Sequence, residues 1–103
     1  MDSVLDIIEK IRARPALILG RPSARILYAY LSGFVRANKN PADRQFLARF
    51  GQFVHDRYEI TSTQGWAEII EFYSTSEADE MAHFWKLLDE YLAQGAMKRR
   101  KVS

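Results

Sequence analysis

The sequence predicts an all-α fold: a single compact domain of four to five helices, with an extended apolar connection between helices 1 and 2. Three observations point there. Apolar residues recur at three- and four-residue spacing in every regular segment. The breaks between segments carry helix-terminal chemistry, with Ser, Asn-Pro and Gly where caps belong. The chain has 103 residues, 48% of them apolar and thirteen aromatic, which is enough for one buried core and too apolar for a disordered chain. No internal repeat is visible.

Ser3 is the expected N-cap of helix 1, whose apolar residues are Val4, Ile7, Ile8 and Ile11. Pro15 stops it near Arg14, because the residue before proline avoids the α region. Ala16–Leu19 is too short a run for a helix, so it reads as a buried extended strap, with Gly20 at positive φ. Ser23 caps helix 2, roughly 24–38, with Ile26, Leu27, Tyr30, Leu31, Phe34 and Val35 inward. Asn40 and Pro41 open helix 3, roughly 41–59, with Phe46, Leu47, Phe50, Phe53, Val54 and Tyr58 inward. Helix 4, about 66–74, faces the core with Trp66, Ile69, Ile70 and Tyr73. Two overlapping capping boxes, Ser74 with Glu77 and Ser76 with Asp79, open helix 5 at about 76. Its face is Met81, Phe84, Trp85, Leu88, Tyr91 and Leu92, and Gly95 fits its C′ position. Residues 1–97 make the domain and 98–103 a flexible basic tail. Gly33 and Gly51, inside helices 2 and 3, suggest close helix crossings. Phe72 and Tyr28 fall off the main stripes, which makes them either core from a second side or anchors at a protein interface.

Net charge is +2, but it is unevenly distributed. Residues 1–59 sum to +4, residues 60–97 to −6, and Lys98–Lys101 add +4. The sequence pI near 9.0 is therefore set by the tail. Such asymmetry steers a charged partner toward one face. With no cysteine there is no disulfide and no thiolate chemistry. The acidic start, with Asp2, Asp6 and Glu9, is unlike a secretory leader, and no apolar run is long enough to span a membrane, so a cytoplasmic protein is expected.

Candidate chemistry is sparse, and the expectation is a protein that is not an enzyme, with no catalytic, cofactor or metal site. Glu80 and His83 have the Glu-x-x-His spacing of a metal pair, but a di-iron bundle needs a second such motif and further glutamates. His55 is flanked by Asp56 and Arg57 and reads as a solvent or salt-bridge residue. No nucleophile elbow or phosphate loop is present. Arg21, Arg25, Arg36, Lys39, Arg44, Arg49, Arg57 and the basic C-terminal tail support an alternative reading, a small helical nucleic-acid-binding or regulatory module. Against it, these arginines phase onto different helix faces.

The chain resembles a group of small bacterial immunity proteins of polymorphic-toxin and contact-dependent growth inhibition systems. The resemblance is carried by Ile8-Glu-Lys-Ile11-Arg12-Ala-Arg14-Pro15, Leu19-Gly20, Tyr30-Leu31-Ser32-Gly33-Phe34 and Phe53-Val-His-Asp-Arg57-Tyr58. It continues through Gly65-Trp66-Ala-Glu-Ile-Ile70-Glu-Phe72-Tyr-Ser74 and Phe84-Trp85-Lys-Leu-Leu88. Ala16-Leu17-Ile18 departs from the Gly-Met-Tyr more usual there. The resemblance implies a cytoplasmic immunity protein that neutralises a cognate protein toxin by stoichiometric masking of its active site or substrate surface. For a toxin with a basic cleft, the acids of the −6 segment are the expected partner-binding residues: Glu77, Asp79, Glu80, Asp89 and Glu90.

Overall fold

Ser3 starts the first helix with a reciprocal cap. Its Oγ accepts from Asp6 N–H at 3.1 Å, and Asp6 Oδ2 accepts from Ser3 N–H at 3.0 Å. The computed structural model describes the backbone of residues 2–102 and the side chains of residues 2–95. Among the described residues it contains six helices and no strand. They are α1 (Val4–Ala13), α2 (Pro15–Leu19), α3 (Ala24–Asn38), α4 (Pro41–Arg57), α5 (Trp66–Phe72) and α6 (Glu77–Val102).

The expected extended strap is instead the short helix α2. Pro15 occupies its first position, where the missing N–H is no loss, and Gly20 at φ +75° closes it by donating to the Ala16 carbonyl at 2.9 Å. Five residues do not hold a helix alone. Docking supplies the rest: Leu19 is buried and Ile18 packs on the core. Leu17 is 73% exposed, so only one side of this run is covered.

In α3 the buried residues are Ala24, Leu27, Leu31 and Val35. Ile26 and Tyr30, expected inward, are exposed, because the helix is rotated to bring Ala24 under α6. Asn40 caps α4 by accepting from Ala42 N–H at 2.9 Å, and Pro41 sits at its first position, as expected. Buried Asp43 accepts from Asn38 Nδ2 at 2.7 Å, which fixes the corner between α3 and α4. Trp66, Ala67, Ile69 and Ile70 bury α5 between its neighbours, while Tyr73, expected to face the core, is exposed. Of the two predicted capping boxes, Ser76 Oγ does accept from Asp79 N–H. Ser74 Oγ donates instead to the Ile70 carbonyl, so the Ser74–Glu77 box is absent. The last helix does not stop at Gly95, whose backbone is not left-handed, but runs to Val102. The expected tail, 98–103, lies outside the described side chains.

Phe50 is the centre of the core. Its ring lies 5.4–5.9 Å from those of Trp66, Phe84 and Tyr91, in edge-on geometry, which ties α4 to α5 and α6.

Gly33 does not mark a close crossing: a Cβ there would meet nothing within 4 Å. At Gly51 a Cβ would lie 3.6 Å from Trp66 Cδ1, an ordinary contact with a side chain. Gly33→Ala should therefore stabilise the protein by about 0.5–1 kcal/mol through helix propensity alone. That corresponds to a melting temperature roughly 4 °C higher. A lower melting temperature would reveal a close neighbour at Gly33.

Candidate functional site

The charge asymmetry of the sequence is largely cancelled within the fold. Arg12 of α1 grips Asp89 of α6 with two hydrogen bonds of 2.8 Å, and its guanidinium lies 5.2 Å from the Trp85 ring centre. Arg21, just after α2, donates to Glu77 at 2.7 Å. Arg25 of α3 holds Glu71 of α5 through bonds of 2.6 and 3.2 Å. Arg57, at the end of α4, approaches Glu90 at 3.4 Å. Arginines from the first half thus clasp acids of the second.

The five acids expected to bind a partner are placed as follows. Glu77, Asp89 and Glu90 are in those ion pairs. Asp79 accepts from the Thr75 N–H and hydroxyl, closing the turn before α6. Glu80 is only 8% exposed, and its carboxylate accepts from Ala24 N–H at 2.9 Å, at the positive end of α3. It faces the interior, not a partner. His83 lies one turn further on. Because Ser74 Oγ gives its hydrogen to Ile70, His83 Nδ1 must be the donor to Ser74, at 2.7 Å. Glu80 and His83 therefore point to different partners. His55 donates through Nε2 to the Gln64 carbonyl and pins the loop before α5. Among the described residues no group of three potential metal ligands converges, and no helix is long and apolar enough to cross a membrane.

The Arg12 guanidinium holds the Asp89 carboxyl below the usual carboxylate range, and Asp89 in turn raises Arg12. A folded-state value below the unfolded one adds stability above the unfolded value and loses it as pH falls through the folded one. Both side chains are more than a third exposed, so the gain is under about 1 kcal/mol. Asp89→Asn should lower the urea midpoint slightly at pH 7 and by less at about pH 3, below the unfolded carboxylate value. An equal deficit at both values would show that charge is not the cause.

What the fold leaves open is aromatic and basic. Phe72, at the end of α5, is 78% exposed and rests edge-on against Tyr73, with ring centres 5.1 Å apart. Tyr73 stacks flat on Tyr58 of the α4 C-cap at 4.5 Å and 14°. Burial raises the Tyr58 hydroxyl above its ordinary pKa. Tyr28 is also exposed. The off-stripe positions of Phe72 and Tyr28 were the sequence signal for these two; the stacking of Tyr73 on Tyr58 had none. Arg36 and Arg44, expected on different faces, line one groove between α3 and α4. Each lies four residues from Asn40, on opposite arms of a helical hairpin, a symmetry visible in the sequence once the hairpin is known.

Compared with family models, curated proteins and solved structures, the chain matches none.

Proposed function

We propose that this chain is a non-catalytic binding protein of the immunity type, which neutralises a cognate protein toxin by covering its active site or substrate surface. The observation that carries this reading is the Phe72–Tyr73–Tyr58 ladder. A large aromatic side chain, 78% exposed and braced from behind by two tyrosines, is the chemistry of a protein–protein anchor. It offers contact area with little ordering entropy left to lose on binding. The helix-to-helix ion pairs support it by tying α1 and α4 to α6, and α3 to α5, across the outside of the packed core. With four of the five predicted acids tied up at the surface and Glu80 inside, the aromatic edge is the stronger candidate for the interface.

The test is to purify the chain with the product of any toxin-like reading frame found beside its gene and titrate toxin activity. Inhibition should be complete at one equivalent, and Phe72→Ala should weaken the complex about tenfold to a hundredfold while leaving the melting temperature unchanged. Turnover of any toxin component, or full affinity in Phe72→Ala, would contradict the reading. Salt-steep binding of DNA or RNA in place of toxin would favour a nucleic-acid module.

A further inference from the structure

The two arms of the α3–α4 hairpin enclose an open groove of about 600 Å³, within the range of ligand-binding clefts. Trp66 of α5, wedged between the arms, forms its floor with Val35 and Leu47. Gly51 lacks the side chain that would close over Trp66 Cδ1. Arg36 and Arg44 stand at the walls. Neither has an ion-pair partner among the described residues, unlike Arg12, Arg21, Arg25 and Arg57. No described acid lines the groove. The two acids on α4 are both committed elsewhere, Asp43 to Asn38 inside the corner and Asp56 to Gln52 at 2.8 Å. The adjoining cleft, reached past Tyr28 and Gly65, carries exposed Glu68 beside Arg25, so the positive potential is confined to the hairpin end.

We infer that the α3–α4 groove is a recognition site for an acidic protein segment, with carboxylates for Arg36 and Arg44 and an apolar side chain between them for the Val35–Leu47–Trp66 floor. Guanidinium forks pair with carboxylates in two-bond geometry, and they gain most beside an apolar surface that excludes water. A single-stranded nucleic acid would need an open aromatic face on which to stack its bases. Trp66 offers none, since Tyr28, Phe50 and Phe84 surround it with ring centres 5.3–5.6 Å away, and half-exposed Tyr28 at the rim is a single ring tilted against Trp66, not a platform for successive bases. This occupant presupposes that the partner is a protein, as proposed above. The groove is tested with a peptide alone, so failure of a toxin complex and failure of the groove give different results.

The variant is Arg36→Glu with Arg44→Glu. Both side chains are exposed and unpaired. A glutamate at 44 suits the positive first turns of α4 and one at 36 slightly opposes the end of α3, so stability should be nearly unchanged. Proton–nitrogen spectra would follow the side-chain N–H signals of Arg36 and Arg44, and the Trp66 indole N–H that the double variant keeps, during titration with a capped hexapeptide of alternating glutamate and leucine. Saturable shifts at all three are expected. Binding should be weaker with hexaglutamate, and weakened at least about tenfold in the double variant, read there at Trp66. Absence of saturable shifts overturns the assignment. So does equal affinity of the double variant, or saturation of the same signals by hexathymidylate at a lower concentration than the peptide.

Discussion

Phe50→Ala is expected to cost about 3–5 kcal/mol, the range for removing a fully buried phenylalanine. With a total stability of about 5–15 kcal/mol for a domain of this kind, the variant would sit near the edge of folding at room temperature. The size follows from position. Phe50 is 1% exposed and meets Trp66, Phe84 and Tyr91, so its removal opens a void where three helices join. The surrounding rings are too bulky to collapse into it. Urea unfolding followed by circular dichroism measures the loss. A loss below about 1.5 kcal/mol would mean that the α4–α5–α6 junction repacks and is not the centre of the fold.

Glu80→Ala is the second large effect. It removes a buried carboxylate and leaves the Ala24 N–H without its partner at the start of α3, at an expected cost of about 1–3 kcal/mol. Glu80→Gln keeps a carbonyl acceptor of the same reach and should recover about half of that loss. Thermal melts of both variants make the comparison. Equal losses would place the effect in charge, through the dipole of α3 or nearby Arg25, and not in the hydrogen bond.

These two residues also show where the sequence was legible and where it was not. Helix starts at Ser3, Asn40-Pro41 and Ser76 could be read because capping is local chemistry, settled within a few residues. Phe50 was placed inward by its spacing alone. The rotation of α3 could not be read, because hydrophobicity ranks Ile26 above Ala24, whereas the partner of Ala24 lies 56 residues away on α6. The segment Ala16–Leu19 was read as extended because five residues have no helical strength of their own, and the docking of Leu19 that holds α2 is tertiary. The acidic second half was read as an open face because a sum along the chain does not show which arginines fold back onto it. Glu71, Glu77, Asp89 and Glu90 each meet an arginine at least 33 residues away in sequence.

The central claim is that the acids of α5 and α6 are struts, while Phe72, Arg36 and Arg44 are the groups left for a partner. Calorimetric titration of the cognate toxin into two folded variants tests it most directly. Glu77→Gln, Asp89→Asn and Glu90→Gln combined should leave the affinity within about threefold of the parent while lowering the melting temperature. Phe72→Ala with Arg36→Glu and Arg44→Glu should weaken it by more than about a hundredfold at unchanged melting temperature. The reverse order, with affinity lost in the acid variant and kept in the second, would contradict the claim and return the interface to the acidic face.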